Sequence, residues 1–304
     1  MSLVKKSALL AGAIAALMAT SAFALDPGYR LADPNNTLVI DTTKGQVILE
    51  MYPSLAPSHV ERMLTLTRQH FYDGLTFHRV ISDFMAQTGD PKGDGTGDST
   101  LPNVKAEFVV RHDSSFPMTV ATRPKGSVIG FVGAMPVQSQ VNELMAISND
   151  GKVNAWGLFC QGAVGMAHSY DPDSANSQFF LMRGANSSLE KKYTAFGVVL
   201  TGLDVVRKLK IGEPPVNPDK MTTVRVLADI PEAERPQVEV MDTASTQFQA
   251  VLDAVRKDKG DNFSDCDVTV PAKILNAAPA TAEATPPATT AEAAPPAPAV
   301  PAKK

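Results

Sequence analysis

Short apolar segments rich in β-branched residues recur along the chain between residues 37 and 228. Their apolar and polar positions follow mostly the two-residue period of a strand, and turn-forming residues separate them. The pattern predicts strands at residues 37–41, 46–51, 76–81, 84–87, 163–167, 178–182, 195–200 and 223–228. Many short strands in series are typical of an antiparallel sheet that closes on itself. We therefore predict a mainly β fold built on a closed antiparallel barrel.

Three segments carry the helical period instead. One begins at Pro57, and its period-matched positions are Val60, Met63, Leu64 and Thr67. A short helix is predicted over residues 203–209, and we expect these two helices to cap the barrel. A third, amphipathic helix with a Gly260 stop signal lies beyond the barrel, and its apolar positions are Phe248, Val251, Leu252 and Val255. Its apolar face must pack on the barrel or on another added segment.

The two ends of the chain have a different composition from the middle. Lys5 and Lys6 precede an apolar run over residues 8–18, and Ala22-Phe23-Ala24 forms a small-x-small cleavage site. This is the pattern of a secretory signal peptide over residues 1–24, and the run is too short for a membrane anchor, which is the alternative interpretation. Residues 277–304 contain 12 alanines and seven prolines, which predicts a disordered tail. We expect an exported protein and favour a bacterial periplasm, because the tail has no retention signal or lipid-attachment cysteine. Another extracytoplasmic site is the alternative.

The segment between these ends divides into three parts. We expect a lead-in at residues 25–36, the barrel domain at residues 37–229 and an extension at residues 230–276 that carries the third helix. No later stretch is apolar enough to cross a bilayer. An inserted segment over about residues 113–158 is apolar enough to pack. It is either a structured decoration on the barrel or a lid or partner surface beside a groove.

The charge and the motifs exclude several classes of function. There are 28 basic and 32 acidic residues, for a formal charge of −4, and no basic block that would predict nucleic-acid binding. Asp90, Asp94 and Asp98 recur at a spacing that fits no EF-hand, so a glycine-rich loop is the better interpretation than a calcium site. Zinc-protease, lipase-type and nucleotide-binding motifs are absent from the sequence. We expect no metal and no cofactor.

Two separated blocks carry the chemistry. The sequence FHRVI at residues 77–81, followed by FMAQTGD at residues 84–90, closely resembles the cyclophilin signature FHR and FMxQGGD. GMA at residues 165–167, NSQFF at residues 176–180 and AFGVV at residues 195–199 resemble later blocks of the same family in the same order. The resemblance covers about residues 37–229, interrupted by the insertion.

Cyclophilins are peptidyl-prolyl cis–trans isomerases, so the resemblance implies an enzyme that accelerates rotation about Xaa-Pro bonds without a cofactor or a covalent intermediate. It places Arg79 at the catalytic arginine. It also implies a groove for proline-containing, unfolded or flexible polypeptides, lined by Phe84, Met85, Gln87, Ala167, His168, Phe180, Leu189 and Tyr193. Gln87 would orient Arg79, and Ala167 and His168 would meet the peptide main chain. Phe179 and Phe180 point to opposite faces of one strand, so only one of them can line the groove.

Three positions depart from the family pattern. His168 replaces an asparagine, Tyr193 replaces the pocket histidine, and Ser188 replaces the tryptophan that binds cyclosporin. We therefore expect weak inhibition by cyclosporin. The departures also leave open a second hypothesis, in which the chain is a weakly active or inactive binding module that uses the same groove and the insertion.

The two cysteines lie outside these blocks. Cys160 ends the insertion and Cys266 follows the third helix, and an exported chain meets oxidising conditions. We predict a Cys160–Cys266 disulfide that fixes the extension to the insertion, with two free buried thiols as the alternative. We expect a monomer.

Overall fold

The computed structural model describes residues 25–275, so the predicted signal peptide and tail lie outside the described residues. The described chain contains the helices α1 (Pro57–Arg68), α2 (Leu203–Lys208) and α3 (Thr246–Lys259). Its strands are β1 (Tyr29–Leu31), β2 (Thr37–Thr42), β3 (Gly45–Met51), β4 (Arg79–Val80), β5 (Met85–Thr88), β6 (Val110–His112), β7 (Met118–Thr122), β8 (Ser127–Val132), β9 (Met135–Gln140), β10 (Val153–Gly157), β11 (Ala163–Met166), β12 (Phe179–Met182), β13 (Ala195–Thr201), β14 (Met221–Val226), β15 (Val238–Met241) and β16 (Ala272–Ile274). Among these residues, no helix has the length and apolar character needed to cross a membrane.

Eight strands form one curled antiparallel sheet in the order β14-β2-β3-β13-β11-β12-β5-β4. Its edges meet through isolated bridges, Thr76 with Lys220 and Val80 with Gly212, and not through a continuous ladder. The predicted mainly β, antiparallel architecture is confirmed, and closure of this sheet into a complete barrel stays a prediction. Of the strand predicted at residues 76–81, Arg79 and Val80 form a strand, which is β4. The residues before it contact the segment that precedes β14, and the amide of Phe77 donates to the carbonyl of Asp219 at 2.9 Å.

Both faces of this sheet are buried, which explains its long apolar runs. On the first face, Leu38 and Ile40 of β2 join a core that contains the apolar sides of α1 and α2. On the second face, Val39 of β2 and Ile48 of β3 join another core. That second core contains residues of the insertion and of the extension, so these added segments cover a surface that the barrel strands would otherwise expose.

The insertion forms its own antiparallel sheet of five strands, in the order β6-β10-β9-β8-β7. Phe131 of β8 and Val137 of β9 are fully buried in the second core. The sequence predicted that this segment packs, but it did not predict the five strands. The insertion is a structured layer against the barrel, and β10 leads directly into the residues behind the pocket described below.

The lead-in and the extension pair with each other. Strands β1, β15 and β16 form a third sheet, which brings together segments from opposite ends of the chain. The predicted third helix is α3, and its buried Phe248 packs edge-to-face on Phe131 of the insertion, with ring centroids 5.1 Å apart. Cys160 and Cys266 are joined by a disulfide with a Cα–Cα distance of 5.0 Å, which is the pairing predicted from the sequence.

Candidate active site

A row of residues crosses four neighbouring strands of the main sheet. Arg79 of β4 pairs with Gln87 of β5, Gln87 pairs with Phe180 of β12, and Phe180 pairs with Gly165 of β11. Directly opposed residues in an antiparallel sheet point to the same face, with Cβ atoms about 4.5–5.5 Å apart. The register of the strands therefore places the guanidinium, the amide and the aromatic ring side by side.

Gly165 makes room for the ring in this row. A Cβ atom at Gly165 would lie 2.5 Å from Cζ of Phe180 and 2.6 Å from Cε1 of Phe159. Without that atom, Phe159 stacks against Phe180 with centroids 5.7 Å apart and an interplanar angle of 27°. Phe179, the neighbour of Phe180, is fully buried on the opposite face, as strand alternation predicts.

A second wall, here called the loop wall, comes from the loop at residues 186–193. A short 3-10 helix at Ser187–Leu189 is capped by Asn186, whose side chain accepts a hydrogen bond from the amide of Ser188. The amide of Tyr193 donates to the carbonyl of Leu189 at 3.0 Å, which fixes these two residues relative to each other. The Tyr193 ring then meets Phe180 edge-to-face at 5.8 Å.

The two walls enclose a cavity of about 190 Å³. It is lined by the nine residues that the resemblance implied for catalysis and substrate binding: Arg79, Phe84, Met85, Gln87, Ala167, His168, Phe180, Leu189 and Tyr193. Pockets for drug-sized ligands are about 300–1,000 Å³, so this cavity suits one small apolar side chain. Arg79 is the one permanently charged residue in its lining.

The structure gives Arg79 a partner that the sequence did not predict. Its Nε donates to Oε2 of Glu213 at 2.6 Å. Gln87, expected to orient the guanidinium, donates instead from Nε2 to Oε1 of Gln178 at 2.9 Å. Gln87 lies opposite Arg79 in the strand pairing. Within residues 25–275, however, the Arg79 side chain is hydrogen-bonded to Glu213 and not to Gln87.

The two residues expected to meet a peptide main chain already have contacts. The amide of Ala167 donates to the carbonyl of Gln178 at 2.9 Å, so a peptide contact of Ala167 would use its carbonyl oxygen. Both ring nitrogens of His168 lie 2.8 Å from main-chain carbonyls, those of Ser169 and Lys192. The His168 ring also packs on Tyr193 with centroids 4.5 Å apart. His168 therefore braces the loop wall.

Arg79 has a neutral neighbour in the chain. Burial lowers the pKa of His78, and the nearby Arg79 charge acts in the same direction, against the opposing effect of Asp90 and Asp94. The ordinary histidine pKa is about 6.5, so His78 is mostly neutral at pH 7. His78 therefore adds no positive charge beside Arg79. The Asp90 carboxylate accepts hydrogen bonds from the amides of Lys92, Asp94 and Gly95, so it organises the glycine-rich loop, as the sequence favoured.

Sequence reasoning missed the residues that support the site. Glu213 lies in a loop between α2 and β14 and belongs to none of the recognised blocks. Trp156 of β10 belongs to the insertion, and its ring lies under Nζ of Lys191 at 4.5 Å, on the loop wall. Phe108 packs on His168 with centroids 5.5 Å apart. A signal existed only for Trp156, as the one tryptophan of the chain within a segment expected to pack.

Comparisons with known proteins agree with this geometry. The family model described as cyclophilin type peptidyl-prolyl cis-trans isomerase/CLD matches residues 37–226. A probable peptidyl-prolyl cis-trans isomerase of Brucella suis biovar 1 (strain 1330) is 36% identical over 214 residues, which are 65% of this chain and 86% of that protein. The crystal structure of cyclophilin AquaCyp293 from Hirschia baltica aligns with a TM-score of 0.76 and 37% identity, covering 81% of this chain and 93% of that one. The match extends over more than half of the chain, which belongs to the cyclophilin-type peptidyl-prolyl cis–trans isomerase family.

Proposed function

We propose that the chain accelerates rotation about Xaa-Pro bonds in exported polypeptides, with Arg79 as the catalytic residue. The observation that supports this most strongly is the placement of Arg79 in the lining of a small cavity, where it is the one permanent cation among mostly apolar and aromatic residues. The cavity would take the proline ring. The flexible or unfolded chain on either side of the proline would lie along the rim.

The barrier to be lowered is electronic. Rotation about the C–N bond costs about 18–20 kcal/mol because the nitrogen lone pair is delocalised into the carbonyl. In the transition state, the prolyl nitrogen becomes pyramidal and recovers its lone pair. A hydrogen bond from the Arg79 guanidinium to that nitrogen would stabilise the transition state more than either planar isomer, which is the condition for catalysis. Arginine stays charged throughout and needs no proton transfer.

The other lining residues would bind the substrate. Met85, Phe180 and Leu189 supply apolar surface for the proline ring, and Phe84 and Tyr193 border it. Gln87 and the main chain at Ala167 and His168 would hold the peptide backbone. This division leaves one group for the rotation and the rest for holding the proline in place.

An exported location is part of the proposal. The signal-peptide pattern over residues 1–24 supports export, and the Cys160–Cys266 disulfide suits an oxidising compartment such as a bacterial periplasm. In that compartment the enzyme would assist the folding of newly exported proteins whose Xaa-Pro bonds isomerise slowly. Secretion of a tagged full-length chain with processing after Ala24, measured by mass spectrometry, would support the location, and an unprocessed cytoplasmic product would contradict it.

A protease-coupled isomerase assay on a short Xaa-Pro peptide tests the activity. Arg79→Ala is expected to lower kcat/KM by about 10²–10³-fold, as when an oxyanion-hole donor is removed. Arg225→Ala is the matched control, because Arg225 has a similar side-chain exposure of 41% against 39% and also pairs with a carboxylate, that of Asp41. Equal activity of the Arg79→Ala and Arg225→Ala proteins would favour the binding-module hypothesis instead.

A further inference from the structure

We infer that Glu213 is a positioning residue for Arg79, which it holds in the orientation needed at the prolyl nitrogen. The inference rests on the proposed catalytic role of Arg79. It is carried by the 2.6 Å hydrogen bond from Nε of Arg79 to Oε2 of Glu213. The two residues are 134 positions apart, so the contact depends on the path of the loop at residues 211–216, here called the clamp loop.

The clamp loop is fixed beside β4. The amide of Val80, next to Arg79, donates to the carbonyl of Gly212 at 2.8 Å, and the amide of Gly212 donates back to the carbonyl of Val80 at 2.9 Å. Glu213 therefore follows a residue that is paired with the neighbour of Arg79.

Contacts on both sides of the clamp loop keep it in place. Before the loop, the amide of Lys210 donates to Oδ2 of Asp219 at 2.8 Å. After the loop, the carbonyl of Asn217 accepts a hydrogen bond from Nζ of Lys210 at 2.8 Å. Within it, a Cβ atom at Gly212 would lie 2.4 Å from Cα of Pro215, so the tight turn requires glycine. The carboxylate is thus carried by an anchored turn.

The hydrogen bond at Nε has a specific consequence for the arginine. Nε lies inside the planar guanidinium, so a carboxylate on it restricts rotation of the plane and leaves the two terminal amino groups available to a substrate. Effective catalysis requires the donor to be held in place before the reaction, because freezing a mobile side chain costs entropy in the transition state. Gln87 does not supply this restraint, since its amide donates to Gln178.

The exposure of the pair sets the expected size of the effect. The Arg79 and Glu213 side chains are 39% and 53% exposed, so salt screens their attraction. Exposed pairs of this kind contribute modestly, and we expect Glu213→Ala to lower kcat by about two- to fivefold. The Michaelis constant should not change, because Glu213 is not part of the cavity lining.

The test compares Glu213→Ala with a matched control. Arg68 and Asp229 form the same kind of pair, through Nε at 2.9 Å with exposures of 49% and 47%, away from the cavity. The kcat and KM of the full chain, Glu213→Ala, Glu213→Gln and Asp229→Ala are measured on one Xaa-Pro peptide at low and at high salt. We expect a lower kcat and unchanged KM for Glu213→Ala, a smaller loss for Glu213→Gln, and no loss for Asp229→Ala. High salt should lower kcat of the unmodified protein towards that of Glu213→Ala and leave the latter unchanged.

A second readout follows the arginine itself. Relaxation of the Arg79 Nε–H group, measured by ¹⁵N NMR, should show more motion in Glu213→Ala than in the unmodified protein. Unchanged kcat in Glu213→Ala, a change confined to KM, or an equal loss in Asp229→Ala would overturn the inference. An Arg79→Ala protein that keeps its activity would instead refute the proposed catalytic residue, so the two failures are distinguishable.

Discussion

The two walls of the cavity are built in different ways. On one side, Arg79, Gln87 and Phe180 are placed by backbone pairing between β4, β5 and β12. On the other side, Leu189 and Tyr193 lie in a loop, and contacts from outside the barrel hold it. Trp156 of the insertion packs on Lys191, and Phe108 packs on His168. We call the first of these the strand wall, to distinguish it from the loop wall.

The difference separates stability from substrate binding. A residue in the strand wall is fixed by the same ladders that hold the barrel together, so the wall cannot move unless the sheet does. The loop wall depends on a few side-chain contacts, which can change without unfolding the sheet. We therefore expect substitutions beneath the strand wall to change the free energy of unfolding, and substitutions behind the loop wall to change mainly the affinity for the peptide.

The largest effect is expected beneath the strand wall. Phe179 is fully buried and meets Tyr72 edge-to-face at 5.4 Å. Phe179→Ala should lower the free energy of unfolding by about 3–5 kcal/mol, because it leaves a cavity in a packed core. Urea denaturation measures this. The control is Phe116→Ala in the insertion, a partly buried ring stacked on His112, for which we expect about 1 kcal/mol. Equal losses for the two variants would remove the distinction.

A second effect concerns the disulfide that joins the insertion to the extension, which belongs to neither wall. The disulfide closes a separation of 106 residues between Cys160 and Cys266. Replacing both cysteines by alanine should lower the free energy of unfolding by about 2–4 kcal/mol, mainly through the larger freedom of the unfolded chain. Because α3 remains docked through Phe248 on Phe131, kcat should stay the same. A variant as stable as the oxidised protein, in unfolding experiments without reductant, would contradict this role.

A smaller effect is expected at the loop wall itself. Trp156→Ala removes the ring beneath Lys191, a contact of about 0.5–1 kcal/mol. The KM for an Xaa-Pro peptide should rise about two- to fivefold, with kcat unchanged because Arg79 belongs to the other wall. Trp156→Phe keeps an aromatic face and should retain most of the affinity. A fall in kcat at constant KM would show that the walls are not independent.

The same division describes what the sequence could predict. The strand wall follows from local patterns: alternation predicted that Phe179 and Phe180 face opposite sides of the strand, and the resemblance placed Phe180 in the groove. The matched blocks contain the strand-wall residues Arg79, Gln87 and Phe180. The supporting contacts join segments that are distant along the chain, such as Glu213 with Arg79 and Trp156 with Lys191. Such contacts depend on how the insertion and the loops pack on the barrel. A local sequence pattern contains no information about that packing.

The third sheet was unpredictable for the same reason. Strands β1, β15 and β16 are only three or four residues long, and each lacks a pattern of its own beyond a few apolar positions. They become strands because the second face of the main sheet is apolar and needs a cover. The long apolar runs of β2 and β3 contained that information, since a barrel with a solvated outer face would show stricter alternation.

The central claim is that Arg79 catalyses the rotation while the other residues of the two walls only bind the proline. Exchange NMR on a short Xaa-Pro peptide tests it most directly, because it reports binding and isomerisation in the same sample. With the unmodified protein, cis and trans proline resonances should exchange rapidly. With Arg79→Ala, the peptide should still shift the resonances of Phe180 and Tyr193, and the exchange should disappear. Exchange that persists at the unmodified rate in Arg79→Ala would contradict the account.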